Sequence, residues 1–150
     1  MEIHGTRNIF IINRQRFLRL NSNKIKLLAR YILKNEKIGN DVGINLMFVR
    51  NNVIKKYNKE FLNKNIPTDV ISFEGNISDG SAGDIIISTE KAAEYAAKYN
   101  IDVNEELTRY VIHGILHCLG YEDTTDNKSR KMFKRQEKLL DEWNGRPIIQ

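Results

Sequence analysis

His113-Gly114-Ile115-Leu116-His117-Cys118-Leu119-Gly120-Tyr121-Glu122-Asp123 is the stretch from which the rest of the chain is best read. In a helix, residues four apart leave the same face with Cβ atoms about 5–6 Å from one another, so His113 and His117 can share one metal ion. The spacing predicts a helix over 104–119, capped by Asn104 and stopped by Gly120, a residue that readily takes the left-handed conformation just past a helix end. Beyond Gly120 the chain doubles back and brings Tyr121, Glu122 and Asp123 toward the histidine face. Either Asp123 or Glu122 can then supply a third ligand. Three protein ligands leave a fourth position open, which is the arrangement of catalytic zinc rather than structural zinc. The plain alternative is a pair of hydrogen-bonded helix histidines without metal. Cys118 follows His117 by one residue, points about 100° around the helix and is expected to pack in the core. His4 stands apart near the first residue and is read as incidental.

Upstream, Asn8 to Ile12 reads as a strand, and an amphipathic helix follows near 22–37, with Ile25, Leu28, Ile32 and Leu33 at helical spacing and Asn21 or Ser22 as cap. Val42 to Val49 alternates as a half-buried strand does. A short helix is predicted over 51–63 with Val53, Ile54, Tyr57 and Phe61 on one face, and Pro67 breaks that pattern. Val70–Phe73 and Asp84–Ile87 are two further strands. Between them Glu74 to Gly83 is rich in Gly, Ser, Asn and Asp and is the best candidate for a mobile lid. Ser88 caps a helix over Thr89–Tyr99. After the histidine helix, Asp126 opens a last one with Met132, Phe133, Gln136, Leu139, Leu140 and Trp143 along one side. The order βαβαββααα implies an α+β fold, a small mixed β-sheet packed with helices, in one domain over 1–150.

A chain of 150 residues, 41% hydrophobic and 29% charged with 2 Pro and 9 Gly, has the composition of a globular protein and excludes collagen-like and disordered classes. Its longest apolar runs, Ile9 to Ile12 and Ile85 to Ile87, fall far short of the ~20 residues needed to cross a bilayer, so no membrane association is expected. The first residues lack the pattern of a secretory signal, and a single cysteine suits a reducing compartment; a cytoplasmic location is the expectation. The net charge of +5 hides a segregation. Residues 1–64 carry 14 basic and 4 acidic side chains, 65–126 carry 3 and 12, and 127–150 carry 7 and 3. Basic flanks around an acidic middle suit a polyanionic partner held beside a metal-binding segment.

On these residues the chain resembles the YbeY family of bacterial single-strand-specific metallo-endoribonucleases, whose signature is HGxLHLxGYDH. His113, Gly114, Leu116, His117, Gly120 and Tyr121 stand as in that signature, and Asp123 occupies the place of its last histidine. Asn58, Phe61 and Pro67-Thr68-Asp69-Val70-Ile71-Ser72-Phe73 resemble the family's LNxxYRxxDxPTDVLSF block, and Gly83-Asp84-Ile85-Ile86-Ile87-Ser88 resembles its LGDIVIS strand. Two departures fall in the middle block, where Leu62 replaces an arginine and Asn65 an acidic residue.

The resemblance implies a zincin-like metallohydrolase architecture, one Zn2+ per chain on His113, His117 and Asp123, and hydrolysis of single-stranded RNA. It further implies 3′-end maturation of small-subunit rRNA (16S) and ribosome quality control, with the ribosome or its assembly factors as partners. Zinc can stabilise charge on a phosphoryl oxygen, and the basic flanks can hold phosphates. Thr68, Asp69, Ser72 and Asp84 are candidate catalytic supports, with turn capping and strand-end hydrogen bonds as their structural alternative. An aspartate ligand is shorter than a histidine and cancels one unit of metal charge; loss of the arginine removes a phosphate clamp. Two other functions remain open. One is a zinc metallopeptidase, whose HExxH spacing the motif shares, although Gly114 stands where that enzyme keeps its glutamate base. The other is a non-catalytic RNA-binding module of ribosome assembly.

Overall fold

The computed structural model describes residues 8–150, so His4 and the reading of the first residues lie outside the described part. Its elements are β1 (Ile9–Asn13), α1 (Ser22–Asn35), β2 (Gly43–Val49), α2 (Asn51–Leu62), β3 (Val70–Glu74), β4 (Ser81–Ser88), α3 (Thr89–Tyr99), α4 (Val103–Cys118) and α5 (Asp126–Trp143), with one 3-10 turn at Ile77–Asp79. The sheet runs β1-β2-β4-β3, parallel between β1 and β2 and between β2 and β4, antiparallel between β4 and β3. The expected α+β fold with a small mixed sheet is what forms.

Local chemistry explains most boundaries. Asn21 accepts from the Lys24 amide and starts α1; Ser88 accepts from the Lys91 amide and starts α3, as expected; Thr125 accepts from the Lys128 amide and starts α5. Three helices end on asparagine in the left-handed conformation, at Asn63, Asn100 and Asn144. Two expectations need correction. Asp102, not Asn104, caps α4, and Asn104 instead accepts from the Ile148 and Ile149 amides at 2.8 and 3.3 Å, docking the C-terminal segment. The loop expected over 74–83 is shorter: Glu74 belongs to β3 and Ser81–Gly83 to β4, and the residues between them are tied by Gly75 N–H to Ala82 O and Ser81 N–H to Asn76 O hydrogen bonds.

The main core lies between the sheet and helices α1, α4 and α5. Ile44, Leu46 and Phe48 of β2, Ile85 and Ile87 of β4, and Leu107, Val111, Ile112 and Ile115 of α4 are buried there. Each such side chain contributes about 1.5–3 kcal/mol on burial. The opposite face carries a smaller cluster of Val49, Ile54, Ile71 and Ile86, with Met47, Val53, Tyr57 and Phe73 packed against it. Strand β2 keeps the expected alternation, with Ile44, Leu46 and Phe48 buried in the main core and Asn45 and Met47 between them only partly covered. Phe133, expected on the buried side of α5, is 61% exposed, while Met132, Gln136, Leu139 and Trp143 are buried. Cys118 is buried, its Sγ 3.7 Å from Phe73 O, and burial pushes its thiol up to about 12, which leaves it an inert core residue.

Candidate metal centre

Helix α4 is set into the sheet at Gly114. A Cβ there would stand 2.7 Å from Ile85 Cγ2 and 3.0 Å from Val70 Cγ1, so only glycine permits this approach. The Ser72 hydroxyl donates to Gly114 O at 2.9 Å and pins β3 to the same turn. With Gly114 pressed on the sheet, His113 and His117 are left partly exposed on another side of the helix. The helix then stops as expected. Gly120 has φ +98°, its amide donates to His117 O, and the Tyr121 amide reaches back to Leu116 O at 3.1 Å. Nothing lies within 4 Å of a Cβ at Gly120, so its backbone conformation rather than crowding requires glycine.

That reversal places the Tyr121 carbonyl 3.0 Å from His117 Nδ1. A carbonyl only accepts, so His117 carries its proton on Nδ1 and leaves Nε2 bare. His113 Nδ1 lies 2.7 Å from Gln136 Oε1 of α5, which accepts in the same way. The two Nε2 atoms consequently face each other at 3.1 Å, and Asp123 Oδ2 is 3.7 Å from His117 Nε2. The ligand atoms of His113, His117 and Asp123 all lie within 4.8 Å of one another. Two imidazole lone pairs and a carboxylate oxygen aimed at one small volume repel each other unless a cation joins them. The donor set of two imidazole nitrogens and one carboxylate oxygen suits zinc and other divalent metals of similar size. The residues fit the group that the sequence led us to expect.

A shared proton between the two rings is the competing arrangement. Burial, then the His113 ring beside it, lower the His117 pKa from its ordinary 6.5, while Asp123, the Tyr121 carbonyl and Asp69 pull the other way. Near neutral pH His117 is therefore neutral and its Nε2 is open to metal. The sign also fixes a stability trend. The unfolded chain takes this proton near pH 6.5 and the folded chain only at lower pH, so metal-free stability is full above 6.5 and declines as pH falls through the folded value. Chelator-treated protein should lose more thermal stability between pH 7.5 and 5.5 than chelator-treated His117→Ala; equal losses would contradict the assignment.

Glu122, the rival third ligand, is turned to Lys128 at 2.7 Å and Thr124 at 3.4 Å, and it is not part of the ligand cluster. Of the candidate supports, Asp69 comes near enough to His117 to be felt electrostatically, and its Oδ1 accepts from the Val70 amide at 2.7 Å and from the Thr68 hydroxyl at 3.3 Å. Ser72 is occupied with Gly114 O, and Asp84 accepts from Asn45 at 2.8 Å on the sheet. Thr68 and Asp69 thus make the local turn hydrogen bonds of their structural alternative, whereas Ser72 and Asp84, both inside strands, bond to a helix and to a neighbouring strand. Leu62 and Asn65 are exposed at the end of α2 and just beyond it. Gln136 is a site neighbour that pattern reading did not single out. Its signal was a lone amide among Met132, Leu139 and Trp143 on a buried helix stripe.

A family model described as endoribonuclease YbeY matches residues 10–144. An endoribonuclease YbeY of Clostridium botulinum (strain 657 / Type Ba4) is 33% identical, with 92% of this chain and 99% of that protein covered. Those of Petrotoga mobilis and Bacillus licheniformis are 34% and 35% identical, covering 88% and 80% of this chain and 92% and 84% of those proteins. The solution structure of TM1509 from Thermotoga maritima superposes with a TM-score of 0.65 at 29% identity, and 93% of each chain is covered.

Proposed function

The chain belongs to the endoribonuclease YbeY family, and from that footing we propose that it hydrolyses single-stranded RNA at His113, His117 and Asp123 with one zinc ion held between them. The observation that carries this reading is the pair of bare Nε2 atoms facing each other at 3.1 Å, each ring locked by an acceptor behind it. Zinc there would supply Lewis acidity for a phosphoryl oxygen and for an attacking oxygen. The chain's own residues do the rest. Tyr121 O and Gln136 hold the two rings, Gly120 forms the turn that presents Asp123, and Asp69 adds negative charge beside His117. The carboxylate leaves a lower net charge at the centre than three histidines would.

Exposed Lys55, Lys56 and Lys59 on α2 and Lys131 and Lys134 on α5 provide basic surface on both flanks, whereas Arg50 and Arg135 are paired with Glu90 and Glu36. Residues 1–150 act as one domain in this reading, in the cytoplasm, on small-subunit rRNA during ribosome assembly. No helix among the described residues is long and apolar enough to cross a membrane.

Incubation with single-stranded RNA, the same sequence as a duplex, and an unfolded protein tests the substrate class. Cleavage of the single strand alone is expected; cleavage of the unfolded protein instead would favour a peptidase, and binding of RNA with no cleavage by zinc-loaded protein would favour an assembly module. Binding should also weaken linearly in log K against log salt, with a slope of about −0.7 for each phosphate neutralised. A flat plot would mean that the lysines are ordinary solvated side chains.

A further inference from the structure

Gln136 lies on α5 and is 6% exposed, with both ends of its amide engaged. Its Nε2 donates to Glu137 Oε2 at 3.1 Å, and its Oε1 faces His113 Nδ1 at 2.7 Å. Glu137 is itself held by Arg109, whose Nε and Nη2 donate to the two carboxylate oxygens at 3.0 Å each; Arg109 Nη1 donates to buried Glu106. Burial opposes charge on Glu137, but the hydrogen bonds from Arg109 and Gln136 outweigh it and keep the carboxyl below its usual range.

From this chain of contacts we infer that Gln136 is a positioning residue for the metal centre, held in one amide orientation by Glu137 and Arg109 so that His113 is fixed as its Nδ1–H tautomer. An amide can turn over, and its two ends look alike in shape. A carboxylate only accepts, so Glu137 takes the NH2 end and the carbonyl must face His113. The carbonyl only accepts, so His113 Nδ1 holds the proton and Nε2 is bare. Turned the other way, the NH2 end would meet His113 Nδ1, the proton would move to Nε2, and that N–H would stand between His113 and any shared cation. Arg109 sits one turn before His113 on α4 and acts on the centre only through Glu137 and Gln136.

This inference rests on the proposed metal reading, and two measurements separate their fates. In metal-free wild type above pH 7.5, long-range 1H–15N correlation spectra should show His113 with its proton on Nδ1. Gln136→Met keeps the volume and removes the acceptor; it should show a tautomer mixture and bind zinc about 10–100-fold more weakly in a chelator competition. Gln136→Glu restores the acceptor toward His113 but sets it against the Glu137 carboxylate, so it is combined with Glu137→Gln, where most of the affinity should return, which a purely structural role would not produce. Glu137→Gln frees the amide to turn over and should weaken zinc binding in the wild type but not further in Gln136→Met; it also serves if Gln136→Met fails to fold. A His113 proton on Nε2 in the wild type, or zinc affinity unchanged in both Gln136→Met and Glu137→Gln, would overturn the inference. Wild type that shows the Nδ1–H tautomer yet binds no zinc would overturn the metal reading and leave only the hold of Gln136 on the His113 tautomer.

Discussion

A His113→Ala, His117→Ala double variant will purify without zinc and lose its RNA cleavage, while keeping its fold. Removing a hydrogen bond behind a metal-bound histidine lowers affinity about 10–100-fold, so removing a ligand should exceed that range and removing two should abolish measurable binding. Both rings are only partly buried and neither belongs to the hydrophobic clusters, so the loss of packing is small. Asp123→Ala should cost less than either histidine, because its carboxylate is 57% exposed and water can take its place. Glu122→Ala should leave zinc content unchanged, since that carboxylate serves Lys128. The comparison is made by metal analysis on protein whose melting is followed in parallel. Full zinc occupancy in the folded double variant would place the metal elsewhere or nowhere.

Gly114→Glu should be among the most destabilising single changes in the chain, by about 3–5 kcal/mol, the range for an uncompensated charge forced into an apolar interior. The added Cβ would already meet Ile85 Cγ2 at 2.7 Å and Val70 Cγ1 at 3.0 Å, and Ile85 is a β-branched strand residue, 1% exposed, with little freedom to move aside. Gly114→Ala carries the same contact without the charge. Its overpacking penalty of about 1–3 kcal/mol is offset in part by the roughly 1 kcal/mol gain in helix propensity over glycine. Denaturant unfolding of both variants ranks the two effects. The consequence for function is geometric. A glutamate at this position points into the sheet and not at the histidine pair, so the helix has no place for a peptidase base. If Gly114→Glu retained wild-type stability, the close packing of α4 on β3 and β4 would be wrong.

The grouping of His113, His117 and Asp123 was legible because it is local. Four-residue spacing on a helix and a glycine stop are enough to bring His113, His117 and Asp123 together, and no distant contact is needed to choose the histidines. The spacing alone left Asp123 and Glu122 open, and only the resemblance pointed to Asp123, since the difference depends on Lys128 drawing Glu122 away from the cluster from the start of the following helix. Helix α3 matched its expected ends because a serine cap and an asparagine end it locally. The cap of α4 was misplaced because Asp102 and Asn104 are both good capping residues, and the C-terminal segment that claims Asn104 lies 44 residues away. The strand β2 was legible because its burial follows its alternation: Ile44, Leu46 and Phe48 are buried, and Asn45 and Met47 between them only partly so. Gly114 was read as the absence of a base, whereas its place in the fold is to let a helix approach a sheet. Gln136 shows the limit of pattern reading most clearly. A buried amide on an apolar stripe announces that it has partners, but only the structure says that they are a histidine on one side and a carboxylate clamped by an arginine on the other.

RNA cleavage should depend on one zinc ion held by His113 Nε2, His117 Nε2 and Asp123. The most direct measurement strips the protein with chelator, titrates zinc back, and follows bound metal and single-stranded RNA cleavage in the same samples. Stripped protein should not cleave, and activity should return in proportion to zinc, complete at one ion per chain. Cleavage that persists in fully stripped protein, or one bound zinc per chain with no cleavage restored, would contradict that dependence.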